Sequence, residues 1–215
     1  MPRDRHKGLA RRQAQAAAPT GGSWLQQSQN WPVYEVLLSS EWDRQDTLAV
    51  ALVARRSPRS GKIAAASYLV DLACLGVKSA FVRLCASPDD YARRLRQRLL
   101  QTQPMQPASL DLVAKIVTEG EAYARRLGLA PHPEYDQAQL LLAGANPEAC
   151  DTPVPLGGPE GKPFFVAGPH DNVPRIIAQL TRAVGADGFH YLVQLDPEQG
   201  EQLAQQLEAR DPRQQ

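Results

Sequence analysis

Cysteine is scarce in this chain, and its placement narrows the chemistry. The three thiols, Cys74, Cys85 and Cys150, are odd in number and show no CxxC spacing, so neither a zinc knuckle nor a disulfide framework is indicated. Cys74 and Cys85 sit in apolar runs and are expected as core thiols. Charge of one sign is also lacking. With 24 Lys+Arg against 23 Asp+Glu the formal net charge is +1, so any case for a polyanionic partner rests on local clustering. Long hydrophobic runs are missing as well: no window approaches the roughly 18 consecutive apolar residues of a membrane-crossing helix. The basic N-terminus is followed by Gln and Ala where the apolar part of a secretory signal belongs, a composition that also suits an arginine-rich transit peptide. The expectation is a cytoplasmic protein with no membrane partner.

What is present points to a folded domain. At 215 residues with a 43% hydrophobic fraction, the chain has the size and composition of one domain with decorations, or at most two small ones. Eighteen prolines and 15 glycines predict a loop-rich structure whose elements end abruptly. The stretch Lys62 to Cys85, KIAAASYLVDLACLGVKSAFVRLC, is the organising feature. It is a long apolar run carrying Asp71 and Lys78 and broken at Gly76, and it reads as buried strand, turn and strand.

Residues 1–30 have the composition of a mobile basic arm, with Arg3, Arg5, Lys7, Arg11 and Arg12 set against Asp4 and little to bury. From residue 31 to about 210 a single domain is expected. Strands are predicted over Val33 to Ser39, Thr47 to Arg55 and Ile63 to Leu72, the last two joined by the turn Ser57-Pro58-Arg59-Ser60-Gly61. Such short connections imply an antiparallel meander. Val77 to Leu84 is a fourth strand or the start of a helix, because short apolar runs do not discriminate. Ser87 caps a helix from Pro88 to about Gln101, with Tyr91, Leu95 and Leu99 on one face and Arg93, Arg94, Arg96 and Arg98 on the rest. After the breaker Gln103 to Pro107, a longer helix runs to Leu127 and closes at Gly128. A short helix from Tyr135 or Asp136 to Leu142, a loop from Asn146 to Pro163, a strand at Phe164 to Ala167, a helix over Val173 to Val184, a strand at Phe189 to Leu195 and a polar helix from Pro197 to about Ala209 complete the reading. The architecture expected is α+β: an antiparallel meander of three to four strands with helices packed on one face and a small C-terminal βα unit.

Two sets of residues invite a functional reading. Asp71 lies in an apolar strand, where an unpaired carboxylate is costly. It is a general base or metal ligand with His132 or His170 as companion, or it is structural, paired with Lys78 or bonded to the turn at Gly76. His132 stands between two prolines and near Glu134, and His170 follows Pro169 and precedes Asp171. Rigid loop histidines beside acids suit acid–base work or zinc ligation, and turn stabilisation explains them as well. No HExxH, P-loop or GxSxG order occurs, and no cofactor is indicated. The second set is basic: Arg3, Arg5, Lys7, Arg11 and Arg12 of the arm, with Arg94 and Arg98 of the first long helix, as contacts to phosphates; a solvated face is the competing reading.

The phrases VDLACLGVK at Val70 to Lys78, LGLAPHPEY at Leu127 to Tyr135 and GPHD at Gly168 to Asp171 together resemble a family of uncharacterised bacterial proteins, over Trp31 to Leu195. The resemblance implies no activity. Two functions from different classes are therefore expected. The first is a binding protein for RNA, DNA or a ribonucleoprotein, attached through the basic arm. The second is a small metal-dependent hydrolase or nuclease-like enzyme using Asp71, His132 and His170.

Overall fold

A computed structural model describes residues 22–44 and 48–193. The arm residues Arg3, Arg5, Lys7, Arg11 and Arg12 and the expected terminal helix from Pro197 lie outside the described residues. Within the stretch read as arm, Gly22–Ser28 forms a short helix, α1, and its Leu25 is buried in the main core. Strands β1 (Val33–Ser39), β2 (Ala49–Arg56), β3 (Ile63–Asp71) and β4 (Gly76–Cys85) form the antiparallel meander. The α+β class and the meander agree with expectation, and Val77 to Leu84 resolves as strand.

A fifth strand, β5 (Met105–Pro107), extends the sheet to the order β4-β3-β2-β1-β5. It lies inside the segment read as a breaker. Prolines are tolerated at a sheet edge because the N–H they lack faces outward, and here Pro104 contributes its carbonyl, accepting from the Ser40 amide at 3.0 Å.

Period-2 alternation sends each strand's residues to two buried faces. On the larger face Val36, Leu38, Val53, Ala66, Tyr68 and Val70 pack against α1, the long helix α3 (Leu110–Arg126) and the short α4 (Tyr135–Ala138), which continues as a 3-10 turn, Gln139–Leu142. On the reverse face Leu37, Leu52, Ala54, Ile63 and Ala65 meet Tyr91 and Leu95 of helix α2. The helices are thus not confined to one side. Helix α2 spans residues 88–102, as a turn Pro88–Tyr91, a π-helical segment Ala92–Arg96 and a final α segment Gln97–Thr102. Its start follows the expected chemistry: the Ser87 hydroxyl accepts from the Asp90 amide and the Asp90 carboxylate accepts from the Ala86 amide, each at 3.1 Å. The C-terminal unit is β6 (Phe164–Val166), α5 (Val173–Val184) and β7 (His190–Leu192), a parallel strand pair with its helical crossover.

One buried cation fixes the main layer. Arg55 of β2 is 5% exposed and meets no carboxylate among the described residues. Its guanidinium donates instead to three carbonyls: Leu141 at 2.8 Å, Trp31 at 2.8 Å and Ala143. Two of these belong to the C-terminal end of the 3-10 turn, where carbonyls are unsatisfied within the helix and the local dipole is negative. Tyr68 adds a donor from β3, its hydroxyl reaching the Ala138 carbonyl at 2.6 Å. Burial lowers the Arg55 pKa from its ordinary value, the direction expected when a cation loses water without gaining an anion.

Arg55→Met should therefore lower stability by about 3 kcal/mol, since it strips donors from three acceptors, one buried and two part-buried. Thermal unfolding should show a Tm drop of about 6–12 °C for a domain of this size. A drop below about 3 °C would mean that other donors satisfy those carbonyls.

Candidate functional site

The turn between β3 and β4 sets the geometry of the C-terminal half. The Asp71 Oδ1 accepts from the Ala73 and Cys74 amides at 3.0 Å each, which closes the turn in the manner of an Asx motif. Gly76 ends it at φ +64°, and a Cβ there would lie 2.6 Å from Ala124 Cβ and 2.7 Å from the Gly120 carbonyl oxygen. Only glycine allows both that backbone region and so close an approach of α3. The outward carbonyls of the same turn are used too: Leu72 accepts from the Gly157 amide at 2.9 Å and Ala73 from the Phe164 amide at 3.0 Å.

Immediately after the turn the register slips. Val70 pairs with Val77 and Leu69 with Ser79, so Lys78 is the extra residue of a β-bulge. Bulges re-aim side chains, and the Lys78 ammonium reaches the Asp171 Oδ2 at 2.7 Å. Asp171 also accepts from the Gly168 amide at 2.8 Å. Lys78 thus joins the C-terminal unit to the sheet through an ion pair that is largely out of solvent, at 20% and 12% side-chain exposure.

Beside this bridge lies a cleft of 660 Å³ between the β4 edge and α5. His132 lines it, and its backbone N–H donates to the Val77 carbonyl at 2.9 Å, so the Leu129-to-Glu134 loop covers the free edge of β4. The His132 Nδ1 accepts from the Glu134 amide at 3.3 Å, which leaves the ring proton on Nε2. Lys78, Arg175 and Arg182 supply positive charge to the same cleft. The three phrases singled out in the sequence meet here: the first supplies Val77 and Lys78, the second Gly128 to Pro133, and the third the loop carrying Asp171.

A second concavity, of 370 Å³, lies on the other face of the sheet against α2. Phe81 and Arg83, two residues apart on β4, share its floor and rim with Arg94, Arg98, Leu95 and Leu99. Phe81 is 37% exposed. Arg96 pairs with Glu35 at 2.8 Å and Arg94 with Asp90 at 2.5 Å. Arg83 and Arg98 have no hydrogen-bond or ion-pair partner among the described residues. The groove was missed in sequence because Phe81 and Arg83 lie in a run that reads as a fourth strand or as the start of a helix; alternation along a fourth strand was the signal that would have placed them beside Arg94 and Arg98.

The residues named from sequence do not gather in one place. His132 lines the cleft, Asp71 is 5% exposed with its carboxylate held by backbone amides, and His170 is exposed outside the cleft lining. Among the described residues no group of three or more His, Cys, Asp or Glu is arranged to hold a metal. Burial lifts the Cys74 thiol to about 12, so Cys74 is a core thiol and no nucleophile. No helix among the described residues is long and apolar enough to cross a membrane. A scan against protein-family models, a search of curated proteins and a search of solved structures each return no match.

Burial also raises the Asp71 pKa, against the pull of the Cys74, Leu75 and Ala73 amides and of Lys78. A raised folded-state pKa means that ionising Asp71 is harder in the folded than in the unfolded chain. Its contribution is therefore most favourable at low pH and is lost as pH rises from the ordinary carboxylate range through the folded pKa. Asp71→Asn keeps an acceptor for the two amides without the charge. It should match or exceed the wild type in chemical denaturation at pH 7 and lose that advantage at pH 4. Asp71→Ala, which orphans both amides, should cost about 1–3 kcal/mol. An Asn variant less stable at pH 7 than at pH 4, relative to wild type, would contradict this account.

Proposed function

We propose that this protein binds single-stranded RNA or DNA, bare or within a ribonucleoprotein, through the groove between β4 and α2. The observation that carries the reading is the convergence of Phe81 with Arg83, Arg94 and Arg98 around one concave surface. Single-strand binding combines a cationic track for the backbone with an aromatic surface on which a base stacks, and an antiparallel sheet that leaves part of a face open offers both. Arg83 and Arg98 are free to meet phosphates. Arg94 surrenders little in doing so, because an exposed i,i+4 pair such as Arg94–Asp90 contributes only about 0.3–0.5 kcal/mol. The arm, with Arg3, Arg5, Lys7, Arg11 and Arg12, adds sequence-independent attraction to the same partner.

A hydrolase built on Asp71, His132 and His170 fits less well. A general base must reach its substrate's proton, whereas the Asp71 carboxylate is buried and bonded within its own turn.

Fluorescence anisotropy with a labelled single strand of about 12 nucleotides tests the proposal. Affinity should fall steeply with salt, and removing residues 1–12 should weaken it. The Arg83→Ala/Arg98→Ala double variant should reduce the salt slope by about 1.4, two phosphate contacts at about 0.7 each. Phe81→Ala should weaken binding about tenfold, the loss of one stacked base, at a temperature where the variant's thermal transition shows it to be folded. Binding that ignores all three changes would refute the proposal. Tighter capture of polyglutamate than of polyuridylate by the same groove would refute it too, marking a surface for an acidic protein.

A further inference from the structure

The cationic cleft beside α5 lies on the opposite side of β4 from that groove and has no part in the nucleic-acid reading. We propose that it is a site for a phosphate monoester of a small organic molecule. Its positive groups come from separate elements: Lys78 from the bulge of β4, Arg175 and Arg182 from α5. No carboxylate is among the described residues lining it. Three cations against one anion behind the wall, Asp171 on Lys78, leave a charge of +2. That balances a phosphate monoester, which carries about −1.5 to −2 at neutral pH; a single carboxylate would neutralise half of it.

Arg182 is held in place. The Gln179 side chain is bonded at both ends, its Nε2 donating to the Leu127 carbonyl at 2.9 Å and its Oε1 accepting from Arg182 Nη1 at 2.9 Å, so Gln179 positions Arg182 against the cleft. The Asn172 Oδ1 accepts from the Arg175 amide at 3.2 Å, which leaves the Asn172 side-chain NH₂ to donate. The Arg175 guanidinium has no partner among the described residues. His132 contributes the Nε2–H that its Glu134 contact dictates. Lys78, with one proton on Asp171, has others to give.

The remaining wall is apolar, built from Leu75, Val77, Leu129, Pro131 and Ile176, and the cleft volume lies within the range of small-molecule sites. A bare phosphate ion would leave this wall in water, whereas a monoester places its organic body there. Because β4, the His132 loop and α5 all contribute, bound ligand would clamp α5 to the sheet and stabilise the folded chain.

Thermal shift and isothermal titration calorimetry with adenosine 5′-monophosphate, ribose 5-phosphate, inorganic phosphate and adenosine, each at about 1 mM, test the site on the full chain. A monoester should raise Tm and bind at least tenfold more tightly than inorganic phosphate or adenosine. Arg175→Ala/Arg182→Ala should weaken it about a hundredfold, since each of the two charged hydrogen bonds removed accounts for about tenfold. Gln179→Ala should weaken it less, through Arg182. Phe81→Ala/Arg98→Ala should leave monoester affinity unchanged while impairing the oligonucleotide, which separates this site from the groove. The proposal is overturned if neither monoester binds, if inorganic phosphate binds as well as the esters, or if loss of binding follows Phe81 and Arg98 instead of Arg175 and Arg182.

Discussion

The capture of two backbone amides by the Asp71 carboxylate is the constraint on which the C-terminal half depends. It shapes the turn from β3 to β4, and four other parts of the fold then take their position from that turn. Helix α3 approaches through Gly120 and Ala124 because Gly76 has no Cβ. The Asn146-to-Pro163 loop is tied down at the Leu72 carbonyl, and β6 is led in through the Ala73 carbonyl. Cys74 and Leu75 project into a cluster with Leu127, Phe165, Leu180 and Phe189 that glues α5 to the body. A buried carboxylate is expensive, yet here it replaces two orphaned amides, each of which would be expensive in its turn.

The other half of the molecule solves a related problem with opposite charge. Arg55 and Tyr68 reach across the core to carbonyls of residues 138–143 and Trp31, so α4 and its 3-10 extension are held by their own unsatisfied ends. Among the described residues, neither Asp71 nor Arg55 is answered by an opposite charge within its own hydrogen-bond set. Both are solvated by backbone dipoles, and this places the turn and the helix terminus with the directional accuracy of hydrogen bonds.

Much of this was legible in order along the chain because it rests on local chemistry. Ser87 before Pro88, Asn172 before Pro174 and the alternation of β1 to β3 each report on residues a few positions away, and the helices and strands appear where those signals put them. What could not be read depends on separation. Lys78 sits seven residues from Asp71, and its partner is Asp171, 93 residues on; nothing local names that partner. A one-residue slip opposite Val70 decides which way the lysine points, and periodicity cannot foresee a bulge. The strand β5 was hidden because two prolines argue against a strand everywhere except at an edge. Whether it lies at an edge is a property of the finished sheet. The two-faced packing was hidden for the same reason: apolar residues on both sides of β1 and β3 fit a sheet covered by α2 as readily as a wholly buried hairpin.

Charge balance explains why two cationic surfaces went unnoticed in composition. With bases and acids nearly equal in number, a uniform surface would pair them off, and many are paired: Glu35 with Arg96, Asp90 with Arg94, Glu121 with Arg125, Asp171 with Lys78. Acids spent on such pairs are unavailable elsewhere, so net balance is compatible with strong local excess. Arg83 and Arg98 beside Phe81, and Arg175 beside Ile176, are among the cations that pairing leaves over in the described residues. Each stands next to apolar surface in a concavity, where field lines are focused by the low-dielectric wall. An arginine on a convex, polar helix face is solvated by water and has no such field. Concave shape, an apolar neighbour and the lack of a protein anion together separate a binding arginine from a merely soluble one, and the groove and the cleft both meet that criterion.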